Sequence, residues 1–248
     1  MDKLEVIKIR ISAEFLLEQN NIDKDKNRIF ISVLKSSLEG YNENIYKRFF
    51  ESGAARKSYC FALYMKDAEF MRDKIVIPSK KIIFKLSTAD LEDAVHIYNA
   101  LLQKVNKTYR VRENVLKLNK INIEREKKIY DNKATFTTLS PVVARKHEGS
   151  NKDTWYFSLN DEEGRAVFLK NLKIQLLEEF GQDRIFDIEE VKIDILANKE
   201  VKVKNYGIEI LGNLCKIKIH AKTYILDYIY KAGTGSQKST GFGMLDIV

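Results

Sequence analysis

Between Leu91 and Val105 the apolar residues Leu91, Ala94, Val95, Tyr98, Leu101, Leu102 and Val105 recur at steps of three and four. That spacing makes one face of an amphipathic helix, with Ser87, Thr88 and Asp90 as candidate caps at its start. On both sides the period falls to two, so Lys74 to Ser87 and Tyr109 to Glu124 read as strands. Upstream, Leu4 to Ile11 alternates like a strand, Asn27 to Glu39 and Asn42 to Phe50 read as helical pieces around Gly40, and Ser58 to Met65 reads as a strand. The order β-α-β-β-α-β predicts a ferredoxin-like unit, four antiparallel strands with two helices on one face.

The rest of the chain repeats the beat. Ala134 to Ala144 and Thr154 to Leu159 read as a hairpin, and Leu169, Leu172, Leu176 and Phe180 mark a helix that Gly181 stops. Strands follow at Lys192 to Ile195, Val201 to Lys204 and Tyr206 to His220, then a short helix at Thr223 to Tyr230 and a last strand. The expectation is an α+β chain of tandem ferredoxin-like domains, residues 1–126 and 127–248, joined near residues 124–133. Such folds host many functions, so the fold does not decide this one.

Charge narrows the partners. The chain of 248 residues carries 43 Lys and Arg against 35 Asp and Glu, a net charge of +8 that favours a polyanion. Residues 104–128 hold nine basic and three acidic side chains, whereas residues 161–190 hold nine acidic and four basic, which predicts one basic and one acidic face. Cys60 and Cys215 lie far apart with no metal or redox spacing and read as reduced core residues of a cytoplasmic protein. No apolar run is long enough for a membrane span and the N-terminus has no signal-like core, so no membrane partner is expected. No cofactor motif and no metal-ligand spacing stands out.

Residues 231–248 read KAGTGSQKSTGFGMLDIV, with four glycines between positions 233 and 243. Glycines packed this densely mark a backbone that something approaches closely. A dinucleotide or P-loop reading needs a helix after the glycines, whereas Gly243 is followed by Met-Leu-Asp-Ile-Val. Lys231, Ser236, Gln237, Lys238, Ser239 and Thr240 suit an extended anion such as a nucleic-acid backbone.

Here the sequence resembles a known family. Gly233-Thr-Gly235, five residues, then Gly241-Phe-Gly243, together with Thr137 to His147 (TTLSPVVARKH) and NKDTWYFS, is similar to the CRISPR-associated endoribonucleases of the Cas-six family, in the RAMP superfamily. The resemblance implies tandem RRM-like, ferredoxin-like domains and a C-terminal glycine-rich loop, here 233–243. It implies binding of CRISPR repeat RNA and metal-independent cleavage of precursor CRISPR RNA by the 2′-hydroxyl, leaving a 2′,3′-cyclic phosphate and a 5′-hydroxyl. It leaves open other CRISPR-associated effector subunits and a homodimer as further partners.

The sequence departs from the family at one position. Many relatives carry a histidine in a phrase resembling Leu-His-x-x-Gly; the matching FFESG, residues 49–53, has Phe50 there. Replacement candidates in the first half are Tyr41, Tyr46, Lys47 and Lys57, each a weak base at pH 7 unless its environment shifts it. In the second half the best histidine is His147, beside Arg145 and Lys146 at the start of an expected hairpin tip, with an ordinary loop residue as its plain alternative. The first-half cluster is slightly favoured, because in the resembling family the scissile phosphate lies between that helix and the glycine loop. Candidate RNA contacts are Arg56, Arg145, Lys146, Lys231, Gly233, Gly235, Lys238, Ser239, Gly241 and Gly243. His96 and His220 read as flank or surface residues.

A second reading keeps RNA and drops catalysis: GFGMLDI, residues 241–247, resembles an RNA-recognition signature but lacks its exposed aromatics, and Phe50 removes an imidazole. A metabolic enzyme on the same scaffold has no cofactor motif in its favour.

Overall fold

The structure, a computed structural model, describes residues 10–51, 53, 57–147 and 154–248. In chain order the first half runs β1 (Arg10–Leu17), β2 (Asn21–Asp23), α1 (Lys26–Tyr41), α2 (Glu43–Phe50), β3 (Tyr59–Tyr64), β4 (Glu69–Phe70), β5 (Lys74–Val76), β6 (Lys81–Thr88), α3 (Leu91–Leu102), β7 (Thr108–Val111) and β8 (Asn114–Glu124). The second half runs β9 (Lys133–Thr138), β10 (Ala144–His147), β11 (Thr154–Phe157), α4 (Glu162–Phe180), α5 (Ile185–Glu189), β12 (Lys192–Asn205), β13 (Ile208–His220), α6 (Thr223–Ala232) and β14 (Leu245–Ile247).

Two antiparallel sheets carry the architecture, in the orders β3-β6-β1-β8-β7 and β12-β13-β9-β14. Leaving aside the edge strand β7, both place the strands of a β-α-β-β-α-β unit second-third-first-fourth. The tandem ferredoxin-like expectation is therefore met. Alternate residues of β1, namely Ile11, Ala13, Phe15 and Leu17, face one core with Phe30, Leu34 and Leu38 of α1 and Ile97 and Leu101 of α3. Phe136, Ile217 and Ile219 face the other with Leu172 and Leu176 of α4 and Ile225 and Ile229 of α6. The cap reading at Asp90 holds, since its side chain accepts from Asp93 N.

Several boundaries differ from expectation, each for a local reason. The run 74–87 splits into β5 and β6 around Pro78, where Lys80 takes φ +49° and its N–H reaches back to Ile77 O. The two short strands expected between 192 and 204 are one strand, β12, with a register shift between Ile195 and Ala197. The hairpin is not 134–144 against 154–159: β9 pairs with β13 and β14, and the hairpin is β10 on β11. Leu139 N and Ser140 N end β9 by turning to Met244 O. The expected strand from Leu4 falls largely outside the described residues, and the hairpin tip expected at 148–151 falls wholly outside them.

The halves meet through polar anchors on a small apolar patch of Cys60, Ala62 and Met244. Arg10 is 3% exposed; its Nη2 donates to Leu245 O at 2.6 Å and its guanidinium lies 4.4 Å from the Tyr230 ring centre. Asp25 accepts from Tyr206 N and Gly207 N at the turn between β12 and β13. Both cysteines are free and buried, and burial pushes their thiols up to about 11 for Cys60 and about 12 for Cys215, which makes them poor nucleophiles. No described helix is long and apolar enough to cross a membrane.

Candidate nucleic-acid cleft

The glycines between α6 and β14 answer first to the protein itself. Gly233, Gly235, Gly241 and Gly243 all have positive φ. A Cβ on Gly241 would lie 2.6 Å from Asn27 Nδ2 and 2.7 Å from Phe61 Cε2, and one on Gly243 would collide with the Thr234 carbonyl. The loop is folded back on itself, with Thr234 N donating to Gly243 O, and is held outside by Ser236 N to Val143 O, Gly243 N to Pro141 O and Asn27 Nδ2 to Thr240 O. Its polar tip, residues 235–239, is thereby presented as a fixed edge.

That edge forms one wall of a cleft of about 450 Å³ lined by Lys57, Arg145, His147, Asn171, Ile174, Gly235, Ser236, Gln237, Lys238 and Ser239. Strand alternation selects which hairpin side chains take part. Arg145 and His147 share one face of β10, opposite Tyr156 and Thr154 of β11, while Lys146 shares the other face with Trp155. Thr154 Oγ1 lies 2.9 Å from His147 Nδ1, which fixes the ring and leaves Nε2 as the nitrogen available to a ligand. Asn171 of α4 donates to Arg145 O at 2.8 Å and reaches Ser236 Oγ at 3.5 Å, and Gln237 Nε2 donates to Tyr156 OH, so helix, hairpin and loop are tied together. Behind them, the fully buried Asn213 fastens the hairpin to β13 by accepting from Leu159 N and donating to Phe157 O.

The first half contributes Lys57. Its Nζ lies 4.5 Å from the centre of the Phe50 ring, a cation–π contact. Burial first, and the charge of Lys35 second, hold the Lys57 ammonium below the usual lysine range. Lys57 and Arg145 give the wall positive charge, whereas the Lys238 ammonium is buried within the loop, and no carboxylate stands among the described lining residues. Such a cleft can take an anion, place cations around it, and offer one imidazole and one proton-releasing ammonium.

The sequence candidates divide. Lys57, Arg145, His147, Gly235, Lys238 and Ser239 come together in the cleft, so the two rival clusters converge on one place through Lys57 and His147. Tyr41, Tyr46 and Lys47 do not line it. Tyr41 OH lies 3.4 Å from His96 Nδ1, Tyr46 packs on Phe50 with ring centres 5.5 Å apart, and exposed Lys47 pairs with Glu43 one turn earlier. Lys231 pairs with Asp227 within α6, Lys146 lies on the opposite strand face, and Gly233, Gly241 and Gly243 form the base of the loop. Arg56 lies outside the described residues. Asn171 and Thr154 were missed by sequence reasoning, whereas Gln237 was among the loop residues read as suiting an anion. Asn171 left a faint signal, a polar residue beside the apolar Leu172 in a helix otherwise read only for its apolar stripe. Among the described residues no group of three or more His, Cys, Asp or Glu side chains is arranged to hold a metal ion.

A family model described as "CRISPR associated protein Cas6, C-terminal" matches residues 124–247. Among solved structures, the fold is similar to one described as a Cas6-related gene product from Pyrococcus furiosus, with TM-score 0.82 and 20% identity over 98% of this chain and 99% of that one. It is similar to "an RAMP protein binding different RNA substrates", with TM-score 0.82 and 19% identity over 97% and 99% of the two chains. A Thermus thermophilus Cas6 product complex aligns with TM-score 0.71 and 13% identity over 98% and 100%. No curated protein matches the chain in sequence.

Proposed function

Because the chain belongs to the Cas6 family of CRISPR-associated proteins, we propose that it binds the repeat of a CRISPR precursor RNA and cuts it by attack of the RNA's own 2′-hydroxyl. The observation that carries this reading is the convergence of Lys57, Arg145 and His147 on one cleft. In the step, the 2′-oxygen bonds to phosphorus as the bond to the 5′-oxygen breaks, giving a 2′,3′-cyclic phosphate and a 5′-hydroxyl. The 2′-hydroxyl proton must go to a base, the leaving 5′-oxygen must receive a proton, and the phosphorane needs positive charge.

His147 Nε2 takes the role of base in this reading, its ring held by Thr154. Lys57 takes the role of acid, since a lowered proton affinity makes an ammonium a better donor. Arg145 neutralises the phosphate, with Ser239 and the backbone from Gly235 onward as further contacts. The two units, residues 1–126 and 127–248, then each supply one side of the reaction. Purified protein incubated with repeat RNA in EDTA, followed by end-group analysis, tests the proposal.

Binding without cutting is the second reading, favoured by Phe50 at the position where the resemblance puts a histidine. The similarity to a protein described as binding different RNA substrates also supports it. Tight binding with no product under the same conditions would select it, and would make effector subunits or a second copy the natural place to look for the missing groups.

A further inference from the structure

Lys57 shares its aromatic platform. From α1 the half-buried Lys35 brings its Nζ to 5.1 Å from the centre of the same Phe50 ring, against 4.5 Å for Lys57. Two ammonium groups on one ring repel each other, and no described carboxylate is recorded in an ion pair with either. Of the carboxylates on neighbouring elements, Glu43 pairs with Lys47, Glu92 with Arg48, and Asp93 with both Arg48 and the Ser58 hydroxyl, while the exposed Glu39, one turn along α1 from Lys35, and the exposed Glu51, next to Phe50, make no ion pair with either lysine. The hairpin adds Arg145 and His147 to the cleft that Lys57 lines, and the loop carries the buried Lys238.

We propose that Lys35 is a positioning residue for Lys57: through the shared Phe50 ring, its charge sets how readily the Lys57 ammonium gives up a proton to the cleft. Lys35 itself does not line the cleft and touches no reacting atom. The role rests on the assignment of Lys57 made above. Burial is the first cause of the depressed proton affinity of Lys57 and the Lys35 charge the second, so removing Lys35 should restore part of it.

Acylation of the whole protein by an amine-selective reagent, read at Lys57 by peptide mass spectrometry across about pH 7–10, tests this, because only the neutral amine reacts. Lys35→Gln should slow labelling of Lys57 roughly two- to fivefold at the lower end of that range, the scale of one half-exposed charge acting on another. Lys35→Arg, which keeps the charge, should label at the wild-type rate. Unchanged labelling in Lys35→Gln would overturn the proposal, as would equal slowing in both variants, which would point to lost packing. The measurement needs no RNA, so a protein that binds repeats without cutting them would refute the cleavage reading and leave this result standing.

Discussion

Lys57 stacks its ammonium 4.5 Å from the ring centre of Phe50, the residue that stands where the sequence resemblance puts a histidine. Phe50 thus holds a cation at the edge of the cleft. Phe50→His would add an imidazole there while removing most of the platform. If the cut lies beside residue 50, the variant should cleave about tenfold faster or more. A folded variant with no gain in single-turnover rate would count against that alignment.

His147→Ala should lower the single-turnover rate by about 10²-fold, with RNA affinity little changed. Thr154→Val removes only the hydroxyl beside Nδ1 and should cost less, roughly three- to tenfold. A silent His147→Ala would move the base elsewhere, with Tyr46→Phe the next variant to examine.

The pH profile carries the sign of the Lys57 assignment. An acid must be protonated to act, so activity is retained below the Lys57 pKa and lost as pH rises through it. Because that pKa is lowered, the alkaline loss should begin below the ordinary lysine value of about 10.4. In Lys35→Gln the loss should move to higher pH. A profile with its alkaline limb at the ordinary lysine value would remove Lys57 as the acid.

Gly241→Val should destabilise the fold by roughly 2–4 kcal/mol, since a β-branched residue is strained at φ +93° and its Cβ meets Asn27 and Phe61. Asn27→Ala should loosen the same loop with a smaller loss, roughly 1–2 kcal/mol, because it removes the amide donated to Thr240 O and Gly241 O. Denaturant unfolding separates the two. Equal stability of Gly241→Val and wild type would mean the loop is not packed as described.

If RNA binding draws the Lys238 ammonium out of its burial, Lys238→Gln should weaken binding and reduce the slope of log affinity against log salt by about 0.7, the value for one phosphate contact on a single strand. A variant that binds with the wild-type slope would make Lys238 a structural residue of the buried loop.

The fold was legible wherever periodicity alone sets the element, as in α3, which forms with Asp90 as its cap, although its buried face is Ala94, Ile97, Ala100 and Leu101, and Leu91, Val95 and Leu102 of the expected stripe are exposed. It failed where an element is ended by a partner far along the chain. β9 stops because Leu139 and Ser140 turn to Met244, and no local pattern records that. The candidate cleft followed the same rule. Lys57 and His147 were each visible as residue types next to basic neighbours, but as rivals; only the folded chain brings both to the lining of one cleft. Asn171, whose amide joins the hairpin to the loop, works entirely through tertiary contacts and so left almost no trace in sequence.

The most direct test of the account is cleavage of a repeat RNA carrying a single 2′-deoxy nucleotide at the cut site, run beside the all-ribose RNA in EDTA. The account predicts that the ribose substrate is cut once to a 2′,3′-cyclic phosphate and a 5′-hydroxyl, while the deoxy substrate binds as tightly and stays whole. Equal cutting of both RNAs would contradict it, because the nucleophile would then not belong to the RNA.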